Sequence, residues 1–433
     1  MQRHIKRGTD TMSFVPTLSV EEEAIMADEH SEAEIAMDNG INEAERIQDI
    51  ADVANDATLV VSDIPEVGQV EQDLVASVAD MAVAGTDASA TDVLSVTNAD
   101  GAVSTEGIAS ALKSLWDTIV SALKNMWAGI RNWLTTYFAT LDRNKRHAEK
   151  LIQRLDGMRG WTASDDAKVE ISDMFGYARQ SLGAKQLFGR IGVVMVEHRT
   201  MVATALETQK NVMLPLGDEL IRGYKEFGQN KDMAVMTKVV QAISTQMEGY
   251  IKSLGISEDG KVRKNNASKE VAQMTIHANG YNKHITDPAN STETKIALLA
   301  KVRFSVDQDT NLIGNGRKVT MRVDMTPDML KADVQKDLDI INGLIKYRDN
   351  EFKQLEAKSE LVQRACEAML GTVKDGDKGT VALAKKLMPM TTAYANWATQ
   401  PGIKLLSTVA RHLQYWLTLS EKCANMFHEQ TVA

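Results

Sequence analysis

The stretch IASALKSLWDTIVSALKNMWAGIRNWLTTYFATL, residues 108–141, decides the fold. Ile108, Leu112, Leu115, Ile119, Leu123, Met126, Ile130, Trp133, Tyr137 and Leu141 recur at intervals of three and four, the period of one face of an α-helix. Trp116, Trp127, Leu134 and Phe138 widen that stripe, while Lys113, Lys124, Asn125, Arg131 and Asn132 occupy the other side. A more charged continuation from Arg143 to Arg154 runs to a stop near Gly157. The spacing therefore predicts one helix of roughly 50 residues, about 75 Å long at 1.5 Å per residue. A wide apolar face of this kind is either the core side of a bundle or a docking surface. Trp116, Leu123, Trp127, Ile130 and Trp133 are its candidate partner-helix or membrane-facing residues.

Upstream, the composition changes abruptly. Residues 1–106 carry 4 basic residues (Arg3, Lys6, Arg7, Arg46) against 23 acidic ones, a net of −19. The whole chain has 49 basic and 59 acidic residues, so the remainder carries 45 − 36 = +9. Of 22 aromatic residues only Phe14 precedes residue 107. Such a segment buries too little apolar surface to offset chain entropy, so a disordered acidic leader is expected over 1–106. Its basic start is followed by a weakly apolar stretch and then Glu21, Glu22 and Glu23, unlike a secretory signal. Met12 leaves a later translation start open.

Downstream, three-and-four spacing predicts helices over Asp165 to Phe188, Ile191 to Lys210, Gly217 to Phe227 and Lys231 to Leu254, with Pro215 as one separator. Ser257 to Ser268 reads as a polar loop. Lys301-Val-Arg-Phe-Ser-Val-Asp and Lys318-Val-Thr-Met-Arg-Val-Asp alternate with a period of two around Gly314-Asn315-Gly316, which predicts a β-hairpin packed on a helix or a third strand. Thr326-Pro327 opens a second long helix to about Gly371, and helices from Val381 to Thr399 and Ile403 to Phe427 flank Pro401-Gly402. The expected fold is mainly α: an elongated helical bundle with one small β-hairpin, preceded by the leader. Its parts are the leader (1–106), the Trp-rich helix (107–156), a helical body (157–300), the hairpin (301–326) and a C-terminal helical region (327–433).

No catalytic constellation, cofactor motif or metal set is expected. The chain has no GxxxxGK[ST], HExxH or GxSxG pattern, and no GxGxxG placed after a strand. Cys366 and Cys423 lack CxxC spacing and fall in apolar helical patterns, which reads as core in a reducing compartment. The eight histidines are scattered and read as surface residues, with His277 and His284 in a polar loop. Asp165-Asp166 reads as a helix start. The dispersed positive charge after residue 106 allows non-specific DNA contact but not sequence reading.

Ser104-Thr105-Glu106, with Gly107 next, stands where charge, composition and periodicity all switch. Ser104 as a helix N-cap explains it locally. An acidic leader ending in Ser-x-Glu, followed by a Trp-rich amphipathic helix and a helical body, also resembles the internal head proteins of giant tailed bacteriophages. That resemblance implies a precursor cut by a prohead protease after Glu106, with Ser19-Val20-Glu21 as an earlier site. It further implies a structural, non-enzymatic protein inside the capsid among other head proteins, with ejection alongside the DNA into the host cytoplasm as a later step. Contacts expected on other grounds are self-association and a membrane surface. The alternative role is a membrane-active effector whose amphipathic helix the leader masks. Cutting would change the charge from −10 to +9.

Overall fold

The first described helix starts where the composition switches. The computed structural model describes residues 105–173, 175–177, 183–231, 233–256, 263–264, 274–308, 318–347, 351–373 and 378–429, without the side chains of 105–119, 122, 263–264, 351, 373 and 378–385. The expectation of a disordered leader falls outside the described residues up to Ser104. Helix α1 runs unbroken over Thr105–Gly157. Its inner face, Leu123, Met126, Ile130, Tyr137, Leu141, Ala148, Leu151 and Leu155, is buried. The cover comes chiefly from α5 (Pro327–Ile345) and α8 (Gly402–Ala424), with α6 (Glu351–Val373) at one end.

The pairing along α1 is antiparallel and in register. Asp156 binds Lys331 and Arg131 binds Glu356, so 25 residues back along α1 (156 − 131) correspond to 25 forward through α5 and α6 (356 − 331). Thr326 caps α5, its hydroxyl accepting from the Met329 amide at 3.3 Å, with Pro327 in the first turn. The single helix expected from Thr326 to Gly371 is instead two, α5 and α6. Asp349-Asn350 stands in the sequence between them, two residue types that disfavour a helix interior.

The interior is organised around the C-terminal hairpin of helices, α7 (Lys378–Thr399) and α8. Leu387 through Gln400 are buried without exception, and α8 is nearly so, as suits a helix enclosed on all sides. Their polar groups are met by α2 (Ala184–Asn230): Gln209 Nε2 donates to the Trp397 carbonyl at 3.0 Å, Tyr394 OH to the Met213 carbonyl at 2.8 Å, and Tyr224 OH to the Leu387 carbonyl at 3.1 Å. α2 is one helix of 47 residues with Pro215 inside it, where the sequence predicts separate pieces. Proline removes the amide that would reach the carbonyl of Asn211; both residues are exposed, so that carbonyl is open to water, and packing on α6, α7 and α8 holds the helix together. Gly217 lets α7 come close: a Cβ there would lie 2.6 Å from Tyr394 OH. α3 (Met233–Ser253) and α4 (Thr292–Ala300) complete the helical shell.

The strands form three antiparallel groups. β1 (Thr162–Ala163) pairs with β7 (Phe427–His428), β2 (Lys168–Ser172) with β6 (Lys318–Arg322), and β4 (Met274–Asn279) lies between β3 (Arg263–Lys264) and β5 (Arg303–Gln308). Both strands of the expected hairpin exist, but they do not pair with each other. β5 takes β4 on one edge, Ile276 opposite Val306 and Ala278 opposite Phe304. Near its other edge the Phe304 amide donates to Asn396 Oδ1 at 3.0 Å, and the Val302 carbonyl just ahead of the strand accepts from Trp397 Nε1 at 2.8 Å, so α7 stands where β6 would have to add.

β6 is matched instead with β2, whose apolar Val169 and Ile171 face Met321 and Val319. This also corrects the helix expected from Asp165 to Phe188: the alternation Lys168-Val-Glu-Ile-Ser is a strand, and α2 starts only at Ala184. Asp166 precedes β2, its carboxyl held below the usual range first by a hydrogen bond from Ser164. The cap of α2 comes from far along the chain. Asp324 Oδ1 accepts from the Lys185 amide at 2.9 Å, against Gly183, where a Cβ would overlap that carboxylate.

Candidate functional site

The residues predicted as a docking face are covered by the chain itself. Leu123, Trp127, Ile130 and Trp133 are each no more than 3 % exposed. Trp127 Nε1 donates to Ser359 Oγ on α6 at 3.2 Å, and Trp133 stacks on Tyr137 with ring centroids 4.9 Å apart. They therefore offer no free apolar surface in this fold, because α5, α6 and α8 supply the complementary stripe. Trp116 lies beyond the described side chains.

At the charge boundary, Ser104 is outside the described residues, and Thr105, Glu106 and Gly107 form the first turn of α1. First-turn amides have no partner within the helix, as holds equally for the carbonyls of its last turn.

The buried polar cluster that sequence reasoning missed lies between α2 and α8. His412 Nδ1 and Tyr177 OH are 2.8 Å apart, Phe175 stacks on the His412 ring at 3.8 Å between centroids, and His198 meets it edge-on at 5.0 Å. Both histidines are completely buried, against the expectation of surface residues. Burial lowers the His198 pKa to about 3 and holds that of His412 well below its ordinary value, with His198 and Arg411 adding to the effect at His412. Both rings are neutral near pH 7. The available signal was spacing: Val409, His412, Leu413 and Trp416 follow the three-and-four rule, so His412 stands at a core position. Of the pair read as loop residues, His284 lies in a 3₁₀ turn, whereas His277 is on β4 with Nε2 3.1 Å from Asp307 of β5.

The buried thiols and the carboxyl of Asp337 are shifted by burial as well. Burial pushes the thiols of Cys366 and Cys423 up to about 12, far from the thiolate form. Asp337 on α5 is wholly buried, with no hydrogen-bond partner for either carboxylate oxygen, and burial raises its pKa well above the ordinary value. Among the described residues no group of three or more His, Cys, Asp or Glu could hold a metal ion, and no helix is long and apolar enough to cross a membrane.

The outer face of α1 differs from all of these. Arg143, Arg146, Lys150 and Arg154 follow one another at three and four residues and fall within an arc of about 80° at 100° per residue. Asp142, Glu149 and Asp156 lie on the flank, where Glu149 faces Lys145 and Asp156 binds Lys331. Arg146 and Lys150 are exposed.

Comparison with known proteins gives one family. Residues 19–194 match the family model of phiKZ-like phage internal head proteins. The matched stretch holds most of the acidic leader, all of α1 and the opening turns of α2, and it bears out the resemblance to internal head proteins of giant phages. No curated protein matches the chain, and no solved structure does.

Proposed function

We propose, from the match of residues 19–194 to phage internal head proteins, that this chain is a structural protein of the virion interior, made as a precursor and trimmed after Glu106 by a prohead protease. The family match carries the virion role. Trimming is supported by the coincidence of Ser104-Thr105-Glu106 with the switch from −19 to +9 and with the first turn of α1. Other head proteins and packaged DNA are its surroundings in this reading, DNA contact being non-specific, and exit with the DNA during infection is its later step. In this reading the helical body is structural: burial keeps its histidines and thiols uncharged near pH 7, which suits packing rather than turnover.

Mass spectrometry of purified particles tests both parts. Peptides of this chain are expected in the particle, with one whose N-terminus is Gly107, a cut that trypsin does not make. Absence of the chain from particles overturns the virion role. Its presence with peptides spanning Glu106–Gly107, and none starting at Gly107, overturns the processing step alone. Glu106→Gln should block trimming by the cognate protease.

A further inference from the structure

We infer that the basic ridge on the outer face of α1 is the docking site of the chain's own acidic leader, centred on residues 21–56. The inference requires neither trimming after Glu106 nor residence in a virion.

The ridge is a row of cations on one helix face. Elsewhere many cations are neutralised in the fold: Lys145 by Glu149, Lys331 by Asp156, Lys336 by Asp333, Lys358 by Asp218 and Lys386 by Glu293. Arg146, Lys150 and Arg154 have no ion pair among the described residues. With Arg143 they extend over 11 residues of one helix face, about 17 Å at 1.5 Å per residue. That face carries no acid toward the N-terminus either: Ser121, Asn125, Asn132, Thr136 and Ala139 continue it. Part of the ridge has a local cause, since Arg154 in the last turn complements the helix dipole. Lys150 and Arg146 lie further back, where the dipole has faded.

The same chain supplies the complementary charge. Residues 21–56 hold 13 acidic residues and one basic residue, Arg46, a net of −12. The tether reaches. From Thr105 to Lys150 is 45 residues of helix, about 68 Å, whereas the 49 residues from Asp56 to Thr105 span up to about 160 Å when extended. Covalent attachment makes the contact intramolecular, so many weak exposed ion pairs act at a high effective concentration. The contact should be salt-sensitive, because exposed charges are screened beyond about 8 Å at physiological ionic strength. Both segments lie inside the stretch matched by the family model. Duplex DNA is the competing occupant, since a row of cations also fits phosphates.

Lys150 is itself the reporter, because a zero-length carbodiimide joins a lysine amine only to a carboxylate in contact with it. In the full chain, Lys150 should cross-link to acids in 21–56 several-fold more than Lys124, which is exposed on α1 but lies off the ridge. Raised salt should abolish the difference, and R146Q/R154Q should reduce the Lys150 links several-fold with an unchanged unfolding midpoint. Equal linking at Lys150 and Lys124, or no response to R146Q/R154Q, overturns the inference. Mixing equal amounts of isotopically light and heavy chains separates the sources: mixed light–heavy links at about half of the total show a leader from a second copy and overturn docking in cis, whereas cis docking gives almost none.

The second arm uses a short labelled DNA duplex. Replacing the 13 acids of residues 21–56 by Asn or Gln in the full chain should tighten DNA binding about tenfold, and R146Q/K150Q/R154Q should reverse the gain. If the unaltered full chain already binds DNA as tightly through these three residues, the ridge belongs to nucleic acid and the leader does not cover it.

Discussion

α1 and the α7–α8 hairpin are both long, apolar and tryptophan-bearing, yet they occupy opposite situations. α1 buries one side and keeps a polar, then basic, side in water, with Trp127 and Trp133 at the contact line. α7 from Leu387 onward and nearly all of α8 are enclosed, and Trp397 and Trp416 are completely buried. The difference shows in the polar groups. On α1 most face solvent, Thr140 and Asn144 being buried exceptions; on α7 several are spent on specific bonds, Trp397 to Val302, Tyr394 to Met213 and Asn396 to Phe304, while the buried Trp416 Nε1 on α8 has no partner. Enclosure forces each buried polar atom to find a partner or carry a desolvation cost. One-sided burial does not.

The largest expected effect strikes the enclosed pair. Trp397→Ala removes a fully buried indole and orphans the Val302 carbonyl, so it should cost about 3–5 kcal/mol in denaturant titration. Trp133→Ala removes an indole buried almost as fully but orphans no carbonyl, and should cost less. Equal losses would break the contrast between enclosed and one-sided helices.

Gly217→Ala sharpens the same point at the α2–α7 contact. A Cβ there meets Lys358 Cγ at 2.4 Å and Tyr394 OH at 2.6 Å. The lysine can move, but the tyrosine is held by its bond to Met213, so a loss of about 1–3 kcal/mol in thermal or chemical unfolding is expected. A neutral result would mean that the tyrosine bond is dispensable.

The pH response comes next. His198 has a folded pKa of about 3 against an ordinary 6.5, so between these values the unfolded chain binds the proton and the folded one does not. Stability is then present above pH 6.5 and lost as pH falls, by up to about 1.4 kcal/mol per pH unit for each such histidine, His412 acting in the same direction. Asp337 works oppositely: with its folded pKa raised, its contribution is full below pH 3.8 and declines as pH rises. Denaturant midpoints across pH 4–8 should therefore show a flatter acid limb for His198→Phe and a gain near neutral pH for Asp337→Asn. A variant His198→Phe with an unchanged acid limb would remove the histidine from the account.

The smallest effect belongs to the outer face of α1. Arg146→Gln should change stability by less than about 0.5 kcal/mol, since an exposed cation without an ion pair contributes little to the fold. A larger loss would show that the ridge supports the helix itself.

Local periodicity was sufficient for α1, for the break at Pro401-Gly402 and for the Thr326 cap of α5, because each depends on neighbours within a turn or two. Charge segregation at residue 106 is likewise a property of the chain alone. The strands at 303–308 and 318–322 were legible by their alternation, but their partners were not. Pairing is decided by which apolar faces and free edges meet in space, and Asn396 and Trp397 stand at the edge of β5 that β6 would have needed. Pro215 reads as a separator in isolation, yet tertiary packing carries α2 through it. The stripe of Leu123, Trp127, Ile130 and Trp133 is equally apolar whether it meets its own chain or a partner. Only the antiparallel approach of α5 and α6 turned it into core, because burial is a relation between surfaces and a sequence describes one of them.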